Sequence, residues 1–211
     1  MLGAIAGDII GSIYEHTNIK TREFPLFGEG CRFTDDTVCT VAVAHCLMDE
    51  GDFAHYLRSC VRSHPFRGYG GMFREWAISD DMGPYNSWGN GAAMRVSAVP
   101  YLAKTDEQLL ENAEQQAAVT HDHPDAIAGA QAVALTTWRV MQGSNKTAIR
   151  DEISSTFGYD LGRTVDEIRP SHVFDISCVG TAPVAITCAL EASTYEEAIR
   201  NAISLGGCQR R

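Results

Sequence analysis

Residues 105–141 read TDEQLLENAEQQAAVTHDHPDAIAGAQAVALTTWRVM, and this stretch decides the fold class. Thr105, followed by Asp106, Glu107 and Gln108, is a capping box: a hydroxyl and a side chain three residues on satisfy the unpaired N–H groups of a helix start. The residues after it are amphipathic at helical spacing as far as about Val119. Pro124 suits the first turn of a second helix, where its missing N–H is not needed, and that helix runs to Met141. Two helices in succession, with no alternating apolar–polar run between them, set the pattern for the chain.

Outward from there the pattern repeats. The sequence predicts helices over residues 2–14, 34–50, 53–62, 70–79, 144–157, 181–191 and 194–205. Within 34–50 the expected buried stripe is Val38, Val41, Ala42, His45 and Cys46. Residues 90–103 begin as a helix that bends or ends near Pro100. Trp76 is expected in the core. The segments 16–33, 63–69, 80–89 and 158–178 read as long loops, which in helical proteins often carry function. The chain is therefore all-α, a multi-helix fold, and with no linker or low-complexity tract it is assigned one domain over 1–211.

Composition excludes several classes. The net charge is −10 with no Lys/Arg run, so nucleic acid is not an expected partner, since a protein that tracks phosphate backbones needs a basic face. Hydrophobic residues make up 45%, enough for a real core, and no apolar run reaches the roughly 18–20 residues that would cross a bilayer. No membrane partner is expected. Met1–Ile13 lacks the basic start of a signal peptide and carries Asp8 in its middle. Seven cysteines, an odd count with no C-x-x-C pair, fit buried reduced thiols and a cytoplasmic protein.

Four short segments carry the chemistry. In Phe33-Thr34-Asp35-Asp36-Thr37, Thr34 suits an N-cap, and Asp35 and Asp36 sit where the helix dipole favours negative charge. The same three residues also put hard oxygens at one point, as Mg²⁺ or Mn²⁺ requires. In residues 85–95, Gly89 and Gly91 flank Asn90 before small residues open a helix. That is either a turn feeding a helix or a backbone made for close approach to a phosphate-bearing ligand. In residues 120–126, His121 and His123 bracket Asp122 with a spacing unlike any zinc site, so the choice lies between helix caps and a histidine that contacts substrate. Glu15 stands past a first helix striped by Gly3, Gly7 and Gly11. There it opposes the dipole, as a surface acid or as a functional one. The glycine stripe itself allows close helix packing or proximity to a ligand.

Taken together and in order, these segments resemble the ADP-ribosylglycohydrolase family. The likeness covers roughly residues 1–207: the stretch from Gly7-Asp8 to Glu15, Thr34–Thr37, Gly89–Arg95, His121-Asp122-His123-Pro124, Phe174–Cys178 and Ala198–Gly207. It implies a helical domain with a binuclear Mg²⁺ (or Mn²⁺) centre below a cleft for ADP-ribose or an ADP-ribosylated substrate. It also implies hydrolysis at C1 of the distal ribose. Thr34, Asp35 and Asp36 would then be metal ligands, and Glu15 and Asp36 the catalytic carboxylates. Ser87, Trp88, Gly89, Asn90, Gly91, Ala92 and His121 would bind substrate.

In that family the Gly-Gly pair is followed by Asp-x-Asp-Thr or Asp-x-Asp-Ser and a last helix. Here Gly206-Gly207 is followed by Cys208, Gln209, Arg210 and Arg211. The expectation is a chain truncated at its C-terminus, lacking the last helical segment and binding one metal ion or none. An uncovered apolar face would favour self-association. The alternative to an active hydrolase is then an ADP-ribose-binding pseudoenzyme.

Overall fold

The computed structural model describes residues 1–15, 17–173 and 175–206. Every regular element among them is helical. At the centre lies α8 (Pro124–Met141), against which α7 (Asp106–Ala118), α9 (Lys146–Phe157), α11 (Cys178–Glu191) and the single turn α5 (Gly91–Met94) all pack. Sequence explains that position. The buried residues of α8 are mostly small, Ala126, Gly129, Ala130, Ala132 and Ala134 among them, so neighbours can come close on several sides. A Cβ at Gly129 would run into the sulfur of Cys178 on α11.

Capping residues start the helices where local chemistry demands. Thr105 accepts from Gln108 N. The Gln108 side chain, however, takes the N–H of Lys104 rather than that of Thr105, so the box closes one residue early. Pro124 occupies the first turn of α8, and His123 is its cap, accepting from Asp125 N at 3.2 Å. Three helices are fastened by Arg139 of α8, which holds Asp106 of α7 and Glu152 of α9. Trp138 adds an indole N–H to Asp106 at 2.9 Å.

Helix α2 (Asp35–Met48) departs from the one-stripe expectation. Val38, Cys39, Thr40, Ala42, Val43, Ala44 and Cys46 are all buried, whereas His45 is exposed. It runs between α1 (Leu2–Gly11) and α3 (Phe53–Ser63) and beneath the 3-10 turn Val96–Ala98, so it is enclosed rather than amphipathic. Trp76 on α4 (Gly71–Ile78) is fully buried, stacked on Phe73 at 5.6 Å with the Arg58 guanidinium 4.3 Å from its ring centre.

The first helix ends at Gly11, three residues short of the expected 14, and three more boundaries differ from the sequence reading. Residues 90–103 break at Arg95, not at Pro100: α5, the 3-10 turn and α6 (Val99–Leu102) follow one another, with Pro100 in the first turn of α6. The interruption falls where Arg95 turns wholly into the interior. The loop 158–178 contains a one-turn helix, α10 (Val165–Ile168), closed by a capping box between Thr164 and Glu167. Helix α11 begins at Cys178, three residues before the expected Thr181, which leaves Pro183 inside it. An early start there is fixed from afar. Trp88 O accepts from Cys178 N at 3.0 Å and Ile176 O from Asn90 N at 2.9 Å, an antiparallel bridge between Gly89 and Ser177.

Six described cysteines are free, four of them buried; Cys208 lies outside the described residues. Burial pushes the Cys178 and Cys188 thiols up to about 12, which makes them poor nucleophiles. No helix among the described residues is long and apolar enough to cross a membrane.

Candidate active-site cleft

The glycine stripe of α1 divides in function along its length. Against α12 (Tyr195–Ser204), a Cβ on Gly3 would stand 3.1 Å from the Tyr195 ring and one on Gly7 3.1 Å from Ile199. Tyr195 OH donates to Gly3 O at 2.6 Å. Nothing lies within 4 Å of a Cβ built on Gly11, and that end of the helix opens on a cleft of about 400 Å³. Close helix packing therefore holds at the α12 end, while the other end borders the cleft.

Asp8, Glu15, Asp36, Asn90 and Thr181 give the cleft its polar edge. Apolar walls come from Met94, Val133, Ile199 and Ile203. Thus Glu15 and Asp36, the two carboxylates singled out from the sequence, face one space. Asn90 joins them, its amide reaching Thr181 Oγ1 at 3.4 Å.

Asp8 organises the acidic side. Its carboxylate accepts from Thr34 N at 2.8 Å, from Thr37 N at 3.2 Å, and from the hydroxyls of both threonines. Four hydrogens on one carboxylate hold the start of α2 against the end of α1. The Thr34 hydroxyl also caps the helix by accepting from Asp36 N at 3.3 Å. It has one proton, and the close contact to Asp8 takes it. Its oxygen therefore meets Asp36 Oδ2, 3.3 Å away, as one lone-pair-bearing oxygen facing another. Both are hard oxygens, the kind of donor that Mg²⁺ or Mn²⁺ takes. Asp35, the third expected ligand, is buried to 2% exposure. Among the described residues no group of three or more His, Cys, Asp or Glu could hold a metal ion. In kind these donors suit a hard cation. Residues 207–211, Cys208 among them, lie outside the described part.

The glycine loop sits beside this centre. Ser87 accepts from Gly89 N at 3.3 Å, and Trp88 is 47% exposed. Asn86 has positive φ, +52°, and is pinned by its N–H to Asp122 Oδ1 at 2.6 Å. Ala92 is wholly buried beneath. Of the expected substrate-binding residues Asn90 lines the cleft, whereas Ser87, Trp88, Gly89, Gly91, Ala92 and His121 are not among its lining residues. His121 is 5% exposed and lies under the loop: a Cβ on Gly91 would stand 2.7 Å from its Nε2. Burial, with Arg95 nearby, lowers its pKa to about 3, so the ring is neutral.

An all-helical fold whose cleft is edged by Asp8, Glu15, Asp36 and Asn90, with Thr34 and Asp35 in the adjoining helix start and the glycine loop beside it, defines a class. A model of the family ADP-ribosylglycohydrolase matches residues 1–208, and the chain belongs to that family. Among curated relatives it is similar to ADP-ribosylhydrolase ARH3 of Xenopus tropicalis, 29% identical over 68% of this chain and 49% of the relative. It is likewise similar to ARH3 of Gallus gallus, 28% over 73% and 53%, and of Homo sapiens, 26% over 70% and 50%. The chain spans about half the length of the curated relatives it matches. A solved structure described as an ADP-ribosylglycohydrolase-related protein complex superposes with a TM-score of 0.71 at 22% identity, covering 98% of this chain and 79% of that one, which supports the fold.

Proposed function

We propose that this chain is a hydrolase that cleaves the bond between C1 of the distal ribose of ADP-ribose and a modified amino acid or small acceptor. The observation that carries this reading is the convergence of Glu15, Asp36 and Asn90 on one cleft, in a chain of the ADP-ribosylglycohydrolase family. Breaking C1–X develops oxocarbenium character at C1, and nearby carboxylates favour it. Glu15 moves the proton: it takes one from the attacking water as the C1–O bond forms and the C1–X bond breaks, and it passes that proton to X, which leaves as the acceptor carrying it. Asn90 and the loop from Ser87 to Ala92 hold the diphosphate and ribose, and the apolar wall of Met94 and Val133 keeps bulk water out. Mg²⁺ held by Thr34, Asp35 and Asp36 would polarise a bound water and orient ribose hydroxyls.

A second reading is a pseudoenzyme that binds ADP-ribose without turnover. It is favoured by the small number of metal-competent donors among the described residues. Release of ADP-ribose from ADP-ribosyl-arginine and ADP-ribosyl-serine, with and without Mg²⁺, separates the two. Metal-dependent turnover that Glu15→Gln abolishes supports the hydrolase. ADP-ribose binding that survives EDTA, with no turnover on either substrate, supports the pseudoenzyme.

A further inference from the structure

Beneath the glycine loop lies a buried polar chain that the proposed chemistry does not use. Arg95 is wholly buried and no carboxylate pairs with it among the described residues. Its Nε donates to Gln116 Oε1 at 2.8 Å and its Nη2 to Gln116 O, a carbonyl in the last turn of α7, where the helix dipole favours a cation. The same Nη2 donates to Thr120 Oγ1 at 3.0 Å. Thr120 Oγ1 lies 2.7 Å from His121 Nδ1. Gln116 anchors the group to the loop through its amide, which donates to Ala92 O at 3.0 Å.

Hydrogen counting gives this chain a direction. Arginine can only donate, so Thr120 accepts from it. Thr120 is fully buried, and its own proton has one acceptor in reach, Nδ1 of His121. Were Nδ1 protonated instead, the hydroxyl proton would be buried without a partner, at roughly 1–3 kcal/mol. Nδ1 is therefore the acceptor, and the ring proton sits on Nε2. That nitrogen faces Gly91 and Gly89, 2.7 Å and 3.8 Å from where their Cβ atoms would be. Glycine at 91 is required because any side chain there would meet it.

We infer that Arg95 and Thr120 are positioning residues that fix His121 in the Nε2–H tautomer, so that it presents an N–H donor through the glycine loop to an acceptor oxygen of ADP-ribose. The presentation rests on the proposed function; the tautomer does not. Because the ring is neutral, the donor binds a phosphate or hydroxyl oxygen without adding charge to the site.

The test uses the full ¹⁵N-labelled chain and two-bond ¹H–¹⁵N spectra of its histidine rings at neutral pH, with His121 assigned by its absence in His121→Gln. The expected spectrum has an unprotonated Nδ1 and a protonated Nε2, and saturating ADP-ribose shifts the Nε2 signals. Thr120→Val gives mixed tautomers and about tenfold weaker ADP-ribose binding; Thr120→Ser, which keeps the hydroxyl, retains both properties. A proton on Nδ1 in the wild-type protein overturns the inference even if Thr120→Val does not fold. Bound ADP-ribose that leaves Nε2 unmoved overturns the presentation. Failure of ADP-ribose to bind at all sinks the proposed function and the presentation with it, while the tautomer is still read in the free protein.

Discussion

Replacing Asp8 by Asn tests the geometry of the acidic centre. Asn keeps the shape and one carbonyl oxygen, which can sit where Oδ2 takes Thr34 N, Thr37 N and the Thr37 hydroxyl. Its amide nitrogen then replaces Oδ1, the acceptor of the Thr34 proton. That proton must turn, and Asp36 Oδ2 at 3.3 Å is the acceptor within reach. Three of four contacts survive, and one charge-assisted bond is exchanged for weaker ones. The loss of stability is about 1–2 kcal/mol, a fall in Tm of roughly 2–8 °C for a chain of this size. Cation binding should suffer more, because a proton now lies between the two oxygens that would share the ion. We expect Mn²⁺ affinity, measured by calorimetry, to drop at least about tenfold, with the helical circular dichroism spectrum unchanged. A folded Asp8→Asn protein that binds Mn²⁺ as tightly as the wild type refutes the hydroxyl argument. A variant that loses most of its helix shows that Asp8 matters chiefly to folding.

Other perturbations read other parts of the structure. Gly91→Val puts side-chain atoms where His121 Nε2 already sits at 2.7 Å; ADP-ribose affinity should fall, and a Tm decrease worth about 1–3 kcal/mol should accompany it. Arg139→Met removes the cation shared by Asp106 and Glu152; chemical denaturation should show a loss of roughly 1–2 kcal/mol, and an unchanged midpoint would mean the three-helix clasp is ornamental. Hydrogen bonds from Arg139 and Trp138 hold the Asp106 carboxyl below its ordinary 3.8. Its contribution is thus complete above that pH and lost as pH falls through the depressed value. Because Asp106 is 45% exposed, the term is about 0.5–1 kcal/mol, and Asp106→Asn should narrow the stability gap between pH 6 and pH 3. Trp76→Ala empties a fully buried site and should cost about 3–5 kcal/mol in urea unfolding.

Local chemistry was legible in the sequence; distant chemistry was not. Thr34, Thr105, Thr194 and Pro124 mark helix starts because a cap is satisfied within three residues, and each starts a helix here. The same logic was available for Thr164 and Glu167, but a single turn inside a long loop offers no periodicity to notice. Ser177 escaped as the cap of α11 because its start is set by Trp88, far away in sequence. Arg95 broke the predicted helix for a reason no window contains, its bonds to Gln116 on α7 and to Thr120 just beyond it. Asp8 was visible as part of a motif, yet its four partners belong to the Thr34–Thr37 turn. The carboxylates Glu15 and Asp36 were found as acids out of place or in excess; only the fold brings them to one cleft.

The bridge between Gly89 and Ser177 bears on the order in which this protein is made. Helices α2 to α9 can pack on one another once Phe157 has been synthesised, since α5, α7 and α9 are then available to α8, although α11 is not. The cleft cannot form then. Asn90 is held at its edge by the pairing beside Gly89 and Ser177, Thr181 and Ala182 of α11 line it, and its far wall needs Ile199 and Ile203 of α12 to reach back to α1. Contacts between distant parts of a chain carry a loop-closure entropy that local contacts avoid, and they slow folding accordingly. A nascent chain that has reached only the end of α9 therefore lacks the α11 and α12 residues that wall the cleft, and has no such cleft to offer a ligand.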